Sequence, residues 1–302
     1  MSPEKPTADW LRQQERSNLA ILKLMVWISL TFGRAVGRLV LYGIAGYFVL
    51  FAPRARRASR NYLNRALNRW AEWVDGFRHV FSFASTIHDR IYLLNVRFDL
   101  FDIEVIGAET LQAALDKQPG ALLIGAHLGS FEVLRAVGRG RAGLKVAMLM
   151  VEENARKLNA TLEAINPAAC QDIIPLGHMD SMLQARDKLD AGYLVGMLAD
   201  RGLGDDPTAA CEFLGATADF PLGPWRLAAM LRRPVFFMTG LYLGGNRYQI
   251  HFEPLADFSQ TPREDRDAAI RAAMQRYADR LTHFCRLAPY NWFNFFDFWQ
   301  KK

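Results

Sequence analysis

Cysteine is scarce in this chain: Cys170, Cys211 and Cys285 are widely spaced and form no Cys-x-x-Cys pair. An odd number at such spacing gives neither a disulfide framework nor a zinc site, and it fits a catalytic part that faces a reducing compartment. A Gly-x-Ser-x-Gly nucleophile elbow is also absent, which counts against a serine hydrolase. We find no internal repeat, no low-complexity tract, no nucleic-acid motif and no carboxylate spacing specific enough to predict a metal. Neither a metal nor a bound cofactor is therefore expected. Acidic residues are the minority charge, 31 against 37 Lys and Arg, for a net charge of +6 and a pI near 9.3. Such a surplus points to an anionic partner. What the chain has in quantity is apolar surface: 51% of its 302 residues, ample for one large or two modest domains.

The apolar residues are concentrated near the amino terminus, yet no uninterrupted run there reaches the roughly 18–20 residues of a simple membrane span. Leu19 to Phe51 is broken by Lys23, Arg34 and Arg38. A cleavable signal peptide is not expected, because a basic cluster follows where a small-residue cleavage site would stand. Thr31, Arg34 and Arg38 form one polar stripe on a helix otherwise coated with Leu, Val, Phe and Trp. This pattern predicts a helix in the membrane interface whose arginines snorkel to the phosphates. A tilted span and a buried helix of a soluble core are the alternatives. Arg54, Arg56, Arg57 and Arg60 follow directly, a juxtamembrane arrangement that attracts anionic headgroups. The chain divides on this reading into a membrane-associated segment, residues 1–60, and a folded domain, residues 61–302.

The stretch from Ala121 to Glu132, ALLIGAHLGSFE, reads as a buried strand, a turn and the start of a helix. On a continuous helix His127 and Glu132 would point about 140° apart. A strand–turn–helix junction removes that obstacle: His127 ends the strand, Gly129 permits the sharp turn, Ser130 caps the helix and Glu132 falls in its first turn. The carboxylate is then expected to fold back onto the imidazole. A His held in one tautomer by a carboxylate is suited to take a proton from a hydroxyl, the activating step of acyl transfer to an alcohol. The same residues also suit a structural His and a Glu favoured by the helix dipole.

Downstream, strands are predicted at Ile103–Gly107, Ala121–Ala126, Lys145–Val151, Ile173–Leu176, Tyr193–Ala199, Val235–Leu243 and Tyr248–Glu253. Helices are predicted at Glu109–Lys117, Phe131–Gly138, Asn154–Ile165, Asp180–Asp190, Pro224–Leu231 and Arg263–Leu287. This alternation predicts an α/β fold: a mixed, mostly parallel sheet with helices on both faces, preceded by the membrane-associated helix. Two further strand ends carry polar residues. After Ala199 come Asp200, Arg201, Gly202, Gly204, Asp205 and Asp206, where Asp200 and Arg201 suit the positioning of a hydroxyl and of an acidic headgroup; a solvated turn rich in Gly and Asp is the alternative, and Asp205 and Asp206 fit it. Arg156 opens a helix after Val151 and suits either a carbonyl oxyanion or anionic donor, or an ordinary charge on a helix surface. The segments Phe213-Leu214-Gly215 and Phe220 to Pro224 fit either an acyl-chain channel or core packing.

In this order of blocks the chain resembles the bacterial lipid A biosynthesis acyltransferases, the lauroyl and myristoyl transferases related to mycobacterial phosphatidylinositol mannoside acyltransferases. The resemblance runs from the apolar amino terminus through His127-x4-Glu132, the Arg156 helix, the Asp200 loop, Phe213-Leu214-Gly215 and Pro221-Leu222-Gly223-Pro224 to Pro289-Tyr290-Asn291-Trp292. It implies a glycerolipid acyltransferase-like fold and an inner-membrane enzyme acting on the cytoplasmic side. It also implies transfer of an acyl group from an acyl-carrier-protein or coenzyme A thioester to a lipid hydroxyl, without metal or cofactor. Three departures bear on the acceptor: Ser130-Phe131 where lipid A enzymes carry Asn-Trp, Arg201 where they carry Gln, and the aromatic close from Phe293 to Trp299. This version looks more like the branch associated with aryl polyene lipids. The expected mechanism has His127 as base with Glu132 orienting it, backbone amides and Arg156 on the oxyanion, and Ser130, Asp200 and Arg201 in contact with substrate. The rival readings are a catalytically inactive lipid-binding module and a hydrolase with Ser130 as nucleophile.

Overall fold

The computed structural model describes residues 19–134, 145–152, 154, 162, 165–166, 172–176, 180–202 and 206–299. Their helices are α1 Leu19–Phe51, α2 Pro53–Ala66, α3 Trp73–Leu94, α4 Ala108–Lys117, α5 Ser181–Asp190, α6 Gly223–Leu231 and α7 Arg266–Leu287. The strands are β1 Asp102–Ile106, β2 Ala121–Gly125, β3 Val146–Val151, β4 Asp172–Leu176, β5 Leu194–Leu198, β6 Thr208–Phe213, β7 Ala216–Pro221, β8 Pro234–Gly244 and β9 Arg247–Asp257. Helices expected over residues 131–138 and 154–165 lie only partly within the described residues.

Seven strands form one sheet in the order β1-β9-β8-β2-β5-β3-β4. The five from β8 to β4 run parallel, while β9 pairs antiparallel with β8 and parallel with β1, so the sheet is mixed and mostly parallel. Strand β2 is buried along its whole length. Its side chains alternate between two cores: Leu122 and Ile124 join one with Tyr62 of α2, Trp225 of α6 and Tyr277 of α7, and Ala121 and Leu123 join the other with Val26 of α1, Ile91 of α3 and Leu111 of α4. A strand covered on both faces needs apolar residues at every position, which is why this run lacks the alternation of a half-exposed strand.

Two elements depart from expectation. Strand β9 continues past Pro254, because the shift in pairing between Val235 and Phe236 places that proline at a bulge, where its missing N–H breaks no ladder. The second is the β6–β7 hairpin, which forms where no strand is predicted and holds the two blocks that fit either a channel or core packing. Its turn is Leu214-Gly215, both at positive φ (51° and 76°), the conformation two-residue hairpins favour. Phe213 and Phe220 are fully buried and meet edge to face, centroids 5.6 Å apart. Core packing, not a channel, accounts for them.

Helix α1 bends at Gly33, whose φ of 84° and ψ of 171° are not helical. Val26, Ser29, Gly37, Leu41, Ala45 and Val49 are buried, while Trp27, Leu30, Val36, Leu39, Leu50 and Phe51 are exposed. The snorkelling reading is corrected here, because the arginines face the protein. Arg34 makes a bidentate pair with Asp89 of α3 at 2.7 and 2.8 Å, and Arg38 donates to the Tyr242 hydroxyl at 2.8 Å. The bend also takes Thr31 out of the stripe and leaves it exposed. The outer face is left almost wholly apolar, and Leu24–Phe51 is long and apolar enough to cross a membrane.

Candidate active site

Strands β2 and β5 are parallel neighbours, with Gly125 paired to Leu198. Continuing each strand by two residues brings His127 level with Asp200. The imidazole Nδ1 lies 2.9 Å from Asp200 Oδ1, and the His127 backbone N–H donates to Oδ2 at 3.1 Å. A carboxylate accepts, so Nδ1 carries the proton and the lone pair sits on Nε2. Asp200 has no side-chain exposure, whereas His127 keeps 35%. Burial alone would raise the Asp200 carboxyl. The interaction with His127, the Arg201 guanidinium and the backbone N–H outweigh it and hold the group well below the usual carboxylate range.

The expectation that Glu132 orients the imidazole is therefore corrected: the carboxylate bonded to His127 is Asp200. Glu132 lies in the helical turn after Ser130, and its Oε1 meets Arg90 of α3 at 2.8 Å. The reason is geometric. A residue at a neighbouring strand end stands level with His127, whereas the first turn of the helix carries Glu132 across to the face that α3 covers. Ser130 is buried, and its hydroxyl lies 3.5 Å from Glu132 Oε2, at the outer limit of a hydrogen bond. Sequence reading missed Arg90, which carried no motif.

The turn itself is pinned at nearly every peptide. Gly125 O accepts from the Tyr277 hydroxyl and from Ala199 N–H, His127 O from Phe293 N–H, and Leu128 O from Thr239. Gly129 N–H donates to Asn291 O at 2.9 Å, and Ser130 N–H donates to Gly240 O at 2.7 Å. Gly129 has φ 74°, and a Cβ there would stand 2.1 Å from Gly240 O; only glycine fits both conditions. Because the amides of His127, Gly129 and Ser130 are all engaged, none of the three is available to a developing oxyanion without breaking an existing bond.

A carboxy-terminal strap from Tyr290 to Asn294 closes over this turn. Leu128 bridges to Trp292 in antiparallel fashion, and the Asn291 amide pairs with both N–H and C=O of Tyr242 on β8. Trp292 donates its indole N–H to Asp200 Oδ2 at 3.1 Å. Arg201 donates to Phe293 O at 2.7 Å and lies over the Phe296 ring, 5.1 Å from its centroid. Arg156, Gly204 and Asp205 lie outside the described residues. Among the described residues, no group of His, Cys, Asp and Glu is arranged to hold a metal ion.

His127 and Asp200 thus make a carboxylate-fixed imidazole at the carboxyl ends of adjacent parallel strands, where ligands bind in open α/β sheets. No curated protein matches the sequence. The family model for the bacterial lipid A biosynthesis acyltransferase does match it, over residues 16–301. The chain belongs to that family, O-acyltransferases that move an acyl group onto a lipid acceptor.

Proposed function

We propose that the protein transfers a fatty acyl group from an acyl-carrier-protein or coenzyme A thioester to a hydroxyl of a membrane lipid, with His127 as general base and Asp200 as its orienting carboxylate. The observation that carries this reading is the 2.9 Å contact between His127 Nδ1 and the buried Asp200 carboxylate. Nε2 takes the proton of the acceptor hydroxyl, and the oxygen attacks the thioester carbonyl carbon to form the new C–O bond. The tetrahedral intermediate collapses with cleavage of the C–S bond, and the imidazolium returns the proton to the departing thiolate. Asp200 stabilises the imidazolium without taking its proton.

Glu132 and Ser130 shape the start of the helix beside the base, with Glu132 anchored by Arg90. On sequence grounds Arg156 is assigned to the carbonyl oxyanion, a role consistent with the prior engagement of the turn amides. The apolar outer face of α1 and the exposed Arg54, Arg57 and Arg60 of α2 support residues 1–60 as the membrane-associated part and 61–302 as the acyltransferase domain. A basic flank on the cytoplasmic side fits an inner-membrane enzyme that meets its thioester donor there. The sequence departures support an acceptor of the aryl polyene type. Two of them are one packing feature, since Arg201 lies against Phe296 of the aromatic close.

The test is transfer from labelled acyl-carrier protein to a membrane lipid extract by the detergent-purified chain. A new acylated lipid that His127→Ala fails to make supports the reading and identifies the acceptor. Undiminished product from that variant overturns it.

A further inference from the structure

We propose that Trp292 is a positioning residue for acyl transfer: its indole N–H holds the Asp200 carboxylate in the one orientation that presents Oδ1 to His127. This rests on the assignment of His127 and Asp200 above.

A buried aspartate can turn about its Cβ–Cγ bond unless its second oxygen is held. Here Oδ2 accepts two N–H groups, from the His127 backbone and from Trp292, both at 3.1 Å. With Oδ2 fixed on one side, Oδ1 is turned to the imidazole, 2.9 Å from Nδ1. The indole adds a restraint that comes from a different part of the chain, 92 residues away in sequence.

Trp292 is itself immobilised. It is fully buried, with ring centroids of Tyr62 and Phe298 at 4.9 Å and of Phe213 at 5.1 Å. Its carbonyl accepts a hydrogen bond from His79 Nε2 at 2.8 Å, and His79 Nδ1 takes the Ser59 hydroxyl at 2.7 Å. Burial lowers the His79 pKa to about 4, so at neutral pH its single N–H is on Nε2, as this arrangement needs. A continuous line of hydrogen bonds and one indole ring therefore runs from Ser59 on the basic helix α2 to the base.

The placement of the indole N–H is not a by-product of packing a large ring. Trp225 and Trp299 are likewise aromatic-packed, and their buried Nε1 atoms make no hydrogen bond among the described residues. Of these three indoles, the one aimed at an acceptor is the one beside the aspartate. A phenylalanine would serve the ring contacts at 292 but not the carboxylate.

The experiment compares the full-length purified enzyme with a variant in which the Trp292 indole is replaced by its benzothiophene isostere, which keeps the shape and removes the N–H. Trp292→Phe and Asp200→Asn run alongside, with labelled acyl-carrier protein and lipid extract as substrates. We expect the isostere to lower kcat about 10- to 100-fold, the effect of one hydrogen bond to a charged group, with KM for the acyl donor unchanged. The acid limb of the kcat profile should move to higher pH, because a carboxylate that has lost a donor holds the imidazolium proton more tightly. Unchanged kcat and acid limb in the isostere, with Asp200→Asn inactive, overturn the positioning role and leave the base assignment standing. A drop in kcat matched by loss of folded enzyme, with an unmoved limb, also overturns it. Wild-type turnover by Asp200→Asn overturns the base assignment and this inference together.

Discussion

The molecule buries two aspartates with the same care and uses them differently. Asp89 on α3 has no side-chain exposure and is bound by both Arg34 donors and by the Tyr248 hydroxyl. Asp200 is equally buried and is bound by the His127 ring and backbone and by the Trp292 indole. Both carboxyls titrate below their ordinary value although burial pushes the other way, because donors on every side favour the charged form. What separates the two sites is the partner. Arg34 cannot lose its proton at any working pH, so the Asp89 pair is a permanent clasp between α1 and the sheet domain. His127 is an imidazole, a group that can gain and lose a proton, and it keeps 35% of its side-chain exposure, so the same carboxylate environment serves a base. Burial of a carboxylate does not by itself mark chemistry; an accessible, titratable partner does.

The comparison predicts a steep ranking. His127→Ala should lower acyl transfer by about 10²–10⁴-fold, the usual contribution of a general base, while unfolding stability and membrane binding stay near wild type. Asp200→Asn should reduce transfer by a comparable factor, and Glu132→Gln by much less, because Glu132 reaches Arg90 and not the imidazole. Equal losses in both carboxylate variants would erase the distinction drawn here.

Asp89→Ala should invert the pattern. Leaving the half-buried Arg34 without its fully buried partner costs up to about 3–5 kcal/mol, readable as a lowered midpoint in denaturant, while turnover per folded molecule is retained. A catalytic loss without a stability loss would mean that the α1 clasp reports to the active site.

The smallest effect concerns His79. With a folded pKa of about 4 against about 6.5 when unfolded, the unfolded chain binds the extra proton between these values. Stability from this group is therefore complete above pH 6.5 and is lost as pH falls toward 4. His79→Gln, which can still donate to Trp292 O, should flatten the pH dependence of the unfolding midpoint in that window. An unchanged slope would mean that another group titrates there.

Much of this was legible in the sequence because strand periodicity and glycine placement are local properties. The run Ala121–Gly125 announced a doubly covered strand, and Gly129 announced the tight turn that its positive φ requires. His127 and Asp200 were each found as polar residues after a strand. Their pairing was not legible, since it depends on β2 and β5 being neighbours in register, a fact of topology 73 residues apart in the chain. Glu132 is close to His127 in sequence, but that proximity does not bring its carboxylate to the imidazole. The direction of the Arg34 and Arg38 stripe failed for a similar reason. An amphipathic pattern shows that one face differs from the other, and only the presence of Asp89 and Tyr242 decides that the charged face turns inward.

The most direct test of the His127–Asp200 pairing is the single-turnover rate of acyl transfer by Asp200→Asn beside Glu132→Gln, each in the full-length detergent-purified enzyme with labelled acyl-carrier protein and lipid extract. We expect a loss of about 10²–10⁴-fold for Asp200→Asn and a far smaller one for Glu132→Gln. A wild-type rate from Asp200→Asn with an inactive Glu132→Gln would contradict it.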